Sequence, residues 1–236
     1  MARLTIVLPV LDEAAIIVDA LQALAPLRGR GAEVIVADGG SSDGTATLAQ
    51  PFADHVIAAP RGRGAPMNAG AALGTGEVLL FLHADTTLPD DADRLVSHAL
   101  AQRAWGRFDL RIAGRHPLLA IVARMISWRS RITGVATGDQ AIFVTREAFD
   151  AVGGFPDLPL MEDIAISRRL KALCRPLCIA TPVITSGRRW EYHGVLRTIV
   201  LMWRLRLAYY LGVAPACLAA RYRPVRPSPA QGGAGP

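Results

Sequence analysis

The segment "FLHADTTLP", Phe81–Pro89, places two potential metal ligands at the end of an apolar run. Residues 78–82 are apolar, and the polar residues and the proline that follow bound the run, which predicts a buried strand. His83 and Asp85 lie two residues apart, so their side chains point the same way along an extended chain. Open α/β sheets bind ligands at the carboxyl ends of their strands. The pair therefore predicts a ligand or metal site at that edge.

Other carboxylates also follow predicted strands. The apolar runs Leu4–Val10 and Glu33–Ala37 predict two further buried strands. Glu13 comes shortly after the first of them, and Asp38 comes directly after the second. The carboxyl ends of parallel strands meet at one edge, so we expect Glu13, Asp38 and Asp85 along a common rim.

The loops beside these carboxylates suit a phosphorylated ligand. Gly39 allows the backbone to approach a ligand closely, and Ser41 can cap the helix that follows. Arg61 and Arg63 lie on the glycine-rich "RGRG" loop, where guanidinium groups can neutralise a diphosphate. Asp85 is placed to hold a divalent cation on the same diphosphate.

The spacing of the elements predicts the fold class. Strands separated by helices of about ten to fifteen residues predict right-handed βαβ units, hence an α/β fold with a mainly parallel, Rossmann-like sheet flanked by helices. Asp12 is predicted to cap the first helix, whose apolar positions fall at helical spacing. Further strands are predicted at residues 55–59, 78–82, 107–112, 141–144 and 178–181, and further helices at 67–73, 117–126, 161–173 and 195–211.

The amino-acid composition indicates which kinds of ligand or partner the protein could bind. The chain has 236 residues, of which 51% are hydrophobic and 19% charged, with a net charge of +6. Lys171 is the single lysine, so the basicity is arginine, which suits phosphates, anionic membranes and nucleic acid. Aromatic residues are not interleaved with the basic ones before Trp190, which argues against nucleic acid. The three cysteines form no paired framework and predict free thiols in a reducing cytoplasm.

Two familiar phosphate motifs are absent. A dinucleotide-binding Rossmann domain needs G-x-G-x-x-G after its first strand, where this chain has "PVLDEA". The Walker motif needs a lysine in a glycine-rich loop, and the single lysine lies elsewhere.

Six segments together resemble a known family. In order they are "LPVLDEA", "ADGGSSDGT", "RGRGAPMNAGA", "FLHADTTLP", "GDQAIFVTREAF" and "MEDIAISRRLK". Over residues 3–175 the chain resembles the family 2 nucleotide-sugar glycosyltransferases, which have the fold called GT-A, and it is similar to their small bacterial members. The resemblance implies an inverting glycosyltransferase that uses Mg²⁺ or Mn²⁺ and a nucleotide diphosphate sugar.

The resemblance also implies residue roles. Asp38 would bind the nucleobase, Asp85 the metal, and Glu162 with Asp163 would supply the catalytic base. The family pattern is D-x-D, whereas His83 stands at the first position here. Either His83 assists a softer metal, or Asp85 holds the metal largely through water and substrate phosphates, which we favour. The donor-binding residues expected are Pro9, Glu13, Asp38, Gly39, Ser41, Arg61, Arg63, Asn68, Arg189 and Trp190.

The segment "TSGRRWEYHG" partly matches the Q-x-x-R-W motif of processive family members. Arg189 and Trp190 match, but Ser186 stands where the family has glutamine, so processive synthesis is not expected. Trp190 could stack against a sugar, and Arg189 could reach the diphosphate.

The helix predicted at 195–211 is apolar with interspersed arginines and aromatic residues. Three roles are open: a core helix, a helix lying on a membrane, or a contact with another subunit. Membrane contact through 193–214 would suit a lipid-linked acceptor and a peripheral place on the inner face of the cell membrane. A homodimer is also left open.

The expected organisation has three parts. Residues 1–192 form the GT-A domain, with a donor half at 1–90 and an acceptor half at 91–192. Residues 193–220 form a helical segment, and 221–236 a disordered tail rich in Pro, Gly and Arg. The alternatives are a sugar nucleotidylyltransferase of related fold, whose glycine-rich segment after the first strand is missing here, and a non-enzymatic membrane-surface module.

Overall fold

The computed structural model describes residues 3–222. Its strands are β1 (Leu4–Val10), β2 (Glu33–Asp38), β3 (His55–Ala58), β4 (Val78–Phe81), β5 (Thr86–Thr87), β6 (Trp105–Ala113), β7 (Phe143–Thr145) and β8 (Leu177–Ser186). Its helices are α1 (Ile17–Ala23), α2 (Ala25–Gly29), α3 (Thr45–Ala49), α4 (Gly64–Leu73), α5 (Ala92–Leu100), α6 (Leu118–Thr133), α7 (Arg146–Ala151), α8 (Glu162–Leu173), α9 (Arg188–His193), α10 (Val195–Tyr210) and α11 (Pro215–Ala219), with a 3-10 helix at Gly138–Gln140.

The eight strands form one mixed sheet in the order β3-β2-β1-β4-β7-β6-β8-β5. The half built from β3, β2, β1 and β4 is parallel, as the βαβ spacing predicts. In the other half β7 runs antiparallel to both of its neighbours, β6 and β8 are parallel, and β5 is antiparallel to β8. The α/β class is confirmed, and parallel pairing dominates only the first half of the sheet.

A short connection requires the sheet to curl. Strands β4 and β5 are separated by three other strands. Four inter-strand spacings would measure about 19 Å across a flat sheet. Only residues 82–85 connect the two strands, and a fully extended chain from Phe81 to Thr86 reaches about 17 Å. The sheet therefore bends so that its two halves approach each other around His83 and Asp85.

The parallel half is buried on both faces. Every residue of β2 is buried, which explains the continuous apolar run in the sequence. On β1, Ile6 and Leu8 join one core cluster while Val7 joins the other, as alternation along a strand requires. Helix α4 packs closely on β1, because a methyl group at Gly70 would lie 2.4 Å from a methyl of Val7.

A buried arginine ties β6 to α6. Arg107 is fully buried and forms an ion pair with Asp109. Its guanidinium also donates to the Phe108 carbonyl at 3.1 Å and to the Ser127 carbonyl of α6 at 2.8 Å. Buried charge is tolerated here because both terminal nitrogens find acceptors, although Nε is buried with no partner among the described residues.

Several elements differ from their predicted form. Asp12 does not cap α1, because that helix begins only at Ile17. The φ of Asp12 is 54°, which turns the chain, and the Asp12 carboxylate accepts a hydrogen bond from the amide of Ser42 at 2.9 Å. Helix α6 continues to Thr133, and β8 covers ten residues because it pairs along β6 through a register shift. Four short elements, β5, α2, α9 and α11, and the longer α5 have no counterpart among the predictions.

The C-terminal segment folds back on the molecule. Tyr222, near the start of the segment 221–236 for which the sequence predicts disorder, lies against the guanidinium groups of Arg189 and Arg63. Residues 223–236 lie outside the described part of the chain. None of the helices in residues 3–222 combines the length and the apolar character needed to cross a bilayer.

Candidate active site

The loops that follow β1 and β2 are joined by hydrogen bonds. The Asp12 amide donates to the Ser41 hydroxyl at 2.9 Å, and the Asp12 carboxylate accepts from the Ser42 amide at 2.9 Å. The Gly39 amide donates to the Val10 carbonyl at 2.9 Å. These bonds fix the two strand ends side by side, as the sequence predicts for a common rim.

Asp38 lies at the centre of this rim. Its side chain is mostly buried and accepts from the amide of Ser41 at 3.2 Å and from the Ser41 hydroxyl. Pro9 is half-buried on the neighbouring strand and pairs with Ala37. A methyl group at Gly39 would lie 3.9 Å from the Cα of Arg61, so the "RGRG" loop passes over this turn. The side chain of Arg61 is exposed.

Glu13 connects the first strand end to the fourth. Its amide donates to the Thr45 hydroxyl at 2.9 Å. Its Oε2 is buried and has no hydrogen-bond partner within residues 3–222, and Arg188 is 3.9 Å away. Burial raises the pKa of Glu13 to about 7; Arg188 opposes the rise, and the nearby Asp85 carboxylate adds to it. Glu13 and Asp85 therefore lie close enough at the rim for their charges to interact.

Asp85 and His83 occupy the link between β4 and β5. The backbone carbonyl of Asp85 accepts from the Ser186 amide at 3.0 Å, which ties the link to the end of β8. The Asp85 carboxylate accepts from the Thr86 hydroxyl at 3.3 Å. The imidazole of His83 is half-buried and makes no side-chain hydrogen bond to any described residue.

Gly138 stands between His83 and Asp163. Its amide donates to Asp163 Oδ2 at 3.1 Å, while Asp163 Oδ1 accepts from the amide of Ile164 at 2.7 Å. A methyl group at Gly138 would lie 2.8 Å from both Cε1 and Nε2 of His83. The predicted metal ligand and the predicted base thus lie on two sides of one backbone residue, although they are distant in sequence.

Glu162 is the buried partner of Arg63. The guanidinium Nε of Arg63 donates to Glu162 Oε1 at 2.7 Å, and Glu162 Oε2 is buried without a partner in residues 3–222. Burial, together with the adjacent Asp163, raises the pKa of Glu162, and Arg63 opposes that rise. Burial would lower the pKa of Arg63, but the Glu162 carboxylate outweighs it and raises that pKa, so the guanidinium stays charged.

Arg189 and Arg63 both lie near the aromatic ring of Tyr222. The guanidinium of Arg189 lies 4.2 Å from the ring centroid of Tyr222, and that of Arg63 lies 5.7 Å from it. Trp190 is partly buried against the main core cluster. An open cavity of about 300 Å³ lies beside Arg189, towards α9 and α10 rather than over Asp38 or Asp85.

Asn68 has a structural role in this fold. Its side-chain amide donates to the Phe155 carbonyl at 2.8 Å, and its oxygen accepts from the Phe155 amide at 2.9 Å. The side chain therefore clips the chain after α7 onto α4. Contact between Asn68 and a donor stays a prediction.

The donor atoms at the rim fit a cation only in part. Residues 3–222 contain no group of three or more His, Cys, Asp or Glu side chains arranged to hold a metal. Asp85 and His83 supply one carboxylate and one imidazole, and an imidazole suits Mn²⁺ better than Mg²⁺. The buried Oε2 of Glu13 has no hydrogen-bond partner in residues 3–222 and adds a carboxyl oxygen close to Asp85. A cation here would need further ligands from substrate phosphates and water.

Comparison with known proteins bears on the same region. Residues 5–117 match the family model described as "Glycosyl transferase family 2", a stretch that includes β1 to β4, Asp38 and Asp85. Over this stretch the chain is similar to glycosyl transferase family 2. A comparison with curated proteins found no match.

Solved glycosyltransferases share the fold of the chain. The mannosyltransferase PcManGT of Pyrobaculum calidifontis, solved with GDP-Man and Mn²⁺, aligns with a TM-score of 0.64 at 21% identity, over 94% of this chain and 65% of that one. TarS of S. aureus, solved with UDP-GlcNAc, aligns with a TM-score of 0.63 at 17% identity, over 78% and 58%.

A third solved enzyme, the glucosyl-3-phosphoglycerate synthase of Mycobacterium tuberculosis in complex with Mn²⁺, UDP and glucosyl-3-phosphoglycerate, aligns with a TM-score of 0.60 at 19% identity, over 90% of this chain and 80% of that one. The chain spans 65% of the PcManGT chain and 58% of the TarS fragment. At these identities the likeness establishes the GT-A fold alone.

Three residues of the site are not predicted from the sequence to act there. Gly138 lies in the "GDQ" segment, which contributes to the family resemblance, but the resemblance implies no role for it. Arg129, on α6, and Tyr222, in the segment predicted to be disordered, reach the site through tertiary contacts only. No local pattern points to either of them.

Proposed function

We propose that the protein is an inverting, metal-dependent glycosyltransferase that moves a sugar from a nucleotide diphosphate sugar to an acceptor hydroxyl. The observation that carries the proposal is the position of Gly138, which brings His83 next to Asp163. The match of residues 5–117 to glycosyl transferase family 2 and the GT-A fold support the reaction class. The site residues then divide into a donor-binding rim and a proton-accepting carboxylate.

The donor would lie across the strand ends. Its base would bind at Asp38, beside the Gly39 turn, and its diphosphate would lie near Arg61 and Arg63. The loops there are held by backbone hydrogen bonds, so the rim is arranged before any ligand binds. The nucleotides bound in PcManGT and TarS are of the kind this rim would take.

A divalent cation at Asp85, with His83 as a second ligand and Glu13 nearby, would supply positive charge to the diphosphate as it leaves. The Asp85 carboxylate supports this role, because it forms no ion pair within residues 3–222 and accepts only the weak hydrogen bond from Thr86. The imidazole makes Mn²⁺ the better candidate than Mg²⁺. The three solved relatives named above include two with Mn²⁺.

Asp163 would accept the proton of the acceptor hydroxyl. That oxygen forms its bond to the anomeric carbon on the face opposite the diphosphate, and the bond from the anomeric carbon to the diphosphate oxygen breaks. The Gly138 and Ile164 amides orient the Asp163 carboxylate. Glu162 is buried and paired with Arg63, so it would position the arginine rather than take the proton.

The identity of the acceptor and the cellular location of the enzyme are further parts of the proposal. We propose a lipid-linked acceptor and a cytoplasmic enzyme at the inner face of the cell membrane, reached through residues 193–214. The apolar, arginine-bearing surface of α10 supports the contact.

A ligand screen tests donor binding. We expect GDP-Man, UDP-GlcNAc or UDP-Glc to raise the melting temperature in the presence of Mn²⁺, because a ligand at a hundredfold excess over its Kd adds about 2.7 kcal/mol to folded-state stability. Absence of any shift for all nucleotide sugars, with and without metal, would contradict the proposal.

The Asp163→Asn substitution tests the base. Transfer should fall by about 100-fold or more, while the donor-induced thermal shift stays close to that of the wild type. Glu147→Gln, which changes an exposed acid in the first turn of α7, is the matched control and should leave transfer unchanged. Survival of transfer in Asp163→Asn would show that another group takes the proton.

A further inference from the structure

Helix α6 carries an exposed apolar stripe along one side. Ile121, Met125, Trp128 and Ile132 recur at intervals of four, three and four residues, which is the repeat of a single helix face. Each is at least half exposed, and Trp128 is 66% exposed. The opposite face of α6 packs on β6, so this stripe is not part of the core.

Helix α10 carries a second stripe with the same repeat. Leu196, Val200, Trp203, Leu207 and Tyr210 are all more than half exposed, with Trp203 at 65%. The buried positions of α10, among them Leu205, lie on its other side. Each stripe therefore has its tryptophan at the third position.

The two helices approach each other at both ends and point the same way. Leu118 at the start of α6 lines the same cavity as Val195 at the start of α10. Towards their C-terminal ends, Arg129 of α6 is close enough to Arg206 and Tyr210 of α10 for their charges to act on it. Arg129 flanks its stripe on one side and Arg206 flanks its stripe on the other, so in parallel helices the two stripes face the same direction. They form one surface, which we call the α6/α10 face.

The charge on this face has one sign. Neither helix contains an Asp or a Glu, and together they carry six arginines. Arg131 is neutralised by Asp109, at 2.6 Å. Arg124, Arg197 and Arg204 are exposed and form no ion pair with any residue of the described chain. The apolar stripes are thus bordered by uncompensated positive charge.

We propose that the α6/α10 face is a docking surface for a lipid bilayer that contains anionic headgroups. Tryptophan and tyrosine favour the boundary between headgroups and acyl chains, and flanking arginines bind lipid phosphates. The proposal extends the membrane contact of residues 193–214 to α6, and it does not depend on the transferase activity.

A second copy of the chain fits this face less well. Two copies joined by a two-fold axis would bring the same arginines opposite each other, with no carboxylate on either helix to separate them. An anionic bilayer supplies the missing negative charge. Charge complementarity therefore favours lipid over self-association.

The face adjoins the candidate base. Arg129 lies between the stripes, and its Nε and Nη2 are buried with no hydrogen-bond partner in residues 3–222. Burial lowers the pKa of Arg129 to about 10, and Arg206 adds to the lowering, while Asp139 and Asp163 oppose it. A bilayer on this face would thus stand close to the Asp163 side of the site, where a lipid-linked acceptor must present its hydroxyl.

Vesicle binding tests the proposal. The full chain should co-sediment with phosphatidylcholine vesicles that contain about 30% phosphatidylglycerol, much less with phosphatidylcholine alone, and less in either case as salt rises. The double substitution Trp128→Ser with Trp203→Ser should weaken partitioning by about tenfold or more. Arg124→Gln with Arg204→Gln should remove the preference for the anionic vesicles.

A control variant and a second measurement distinguish failure of the docking proposal from failure of the proposed transferase activity. Leu48→Ser with Leu173→Ser removes two exposed apolar side chains elsewhere and should leave vesicle binding unchanged. The donor-induced thermal shift should survive in the double tryptophan variant, so a missing shift in the wild type would count against the transferase alone. Equal binding to both kinds of vesicle would overturn the docking proposal. The proposal would also fail if the protein formed a dimer that the tryptophan substitutions dissociate without any effect on vesicle binding.

Discussion

At the scale of single residues, Glu13 links the electrostatics of the rim to pH. Its pKa is about 7 in the folded chain, against an ordinary value of 4.5, because it is buried beside other carboxylates. Between these two values the folded state keeps a proton that the unfolded state has lost. The contribution of Glu13 to stability therefore falls as pH rises from about 4.5 and is fully unfavourable above pH 7.

We expect Glu13→Gln to remove this pH dependence. The variant should equal the wild type at about pH 4.5 and exceed it by about 1–2 kcal/mol in unfolding free energy near pH 8.5, measured by urea titration. Glu77→Gln, at an exposed glutamate, is the control and should show no such divergence. A wild type that gains stability over Glu13→Gln as pH rises would mean that the glutamate is ionised in the folded chain.

Gly138 should tolerate no side chain. Gly138→Ala places a methyl 2.8 Å from the His83 ring, so either the imidazole or the 138 turn must move away. Because the same residue holds Asp163, we expect transfer to fall by about tenfold to 100-fold while the fold persists. Gly29→Ala, whose added methyl meets nothing within 4 Å, is the control. Rates would be measured under single-turnover conditions; an unchanged rate in Gly138→Ala would show that the contact with His83 does not matter.

Some residues of the candidate site could be predicted from the sequence, and others could not. Strand alternation does not describe His83 and Asp85, because both lie in the turn that links β4 to β5 rather than on an extended strand. Strand ends were enough to expect Asp38 and Asp85 at the same edge of the sheet. Gly138 touches both His83 and Asp163, yet nothing in its own neighbourhood specifies that meeting. The assignment of Asp163 came from resemblance, because an acid in the first turn of a helix is ordinary by itself.

At the scale of elements, Arg107 joins β6 to α6. Arg107→Met would remove a buried cation and leave the Ser127 carbonyl without its donor, although Asp109 would keep Arg131. We expect a loss of about 3 kcal/mol in unfolding free energy, seen as a lower urea midpoint.

Arg111→Met is the matched control for that substitution. Arg111 lies on the same strand and is exposed, so its replacement should change stability by less than about 0.5 kcal/mol. Equal effects of the two substitutions would mean that burial of Arg107 contributes nothing specific.

The elements that could be predicted are those with a strong pattern of their own. Strands β1, β2 and β4 are continuous apolar runs because helices cover both faces of that half of the sheet. Strand β5 has two residues and exists only through its pairing with β8, so no local pattern announces it. The capping role predicted for Asp12 failed because its carboxylate bonds across to Ser42 instead.

At the scale of the whole molecule, the C-terminal segment returns to the site through Tyr222. Its ring lies against Arg189 and within cation–π distance of Arg63. We expect Tyr222→Ala to weaken donor binding by about threefold to tenfold, because the two arginines proposed to bind the diphosphate lose their contact with the ring.

Calorimetry of donor binding would measure that effect. Tyr192→Ala removes a ring that is 77% exposed on α9 and should leave the affinity unchanged. Donor affinity that stays the same in Tyr222→Ala would leave the C-terminal segment without a part in binding.

The four residues between β4 and β5 give the molecule a mechanical property. They cannot span the sheet if it flattens, so the curvature of the sheet and the separation of its two halves are set by the same few peptide units that carry His83 and Asp85. A cation site placed there has its dimensions fixed by the bend of the entire sheet. Changes that stiffen or relax that bend, even from the far edge, should therefore retune the site without touching any ligand.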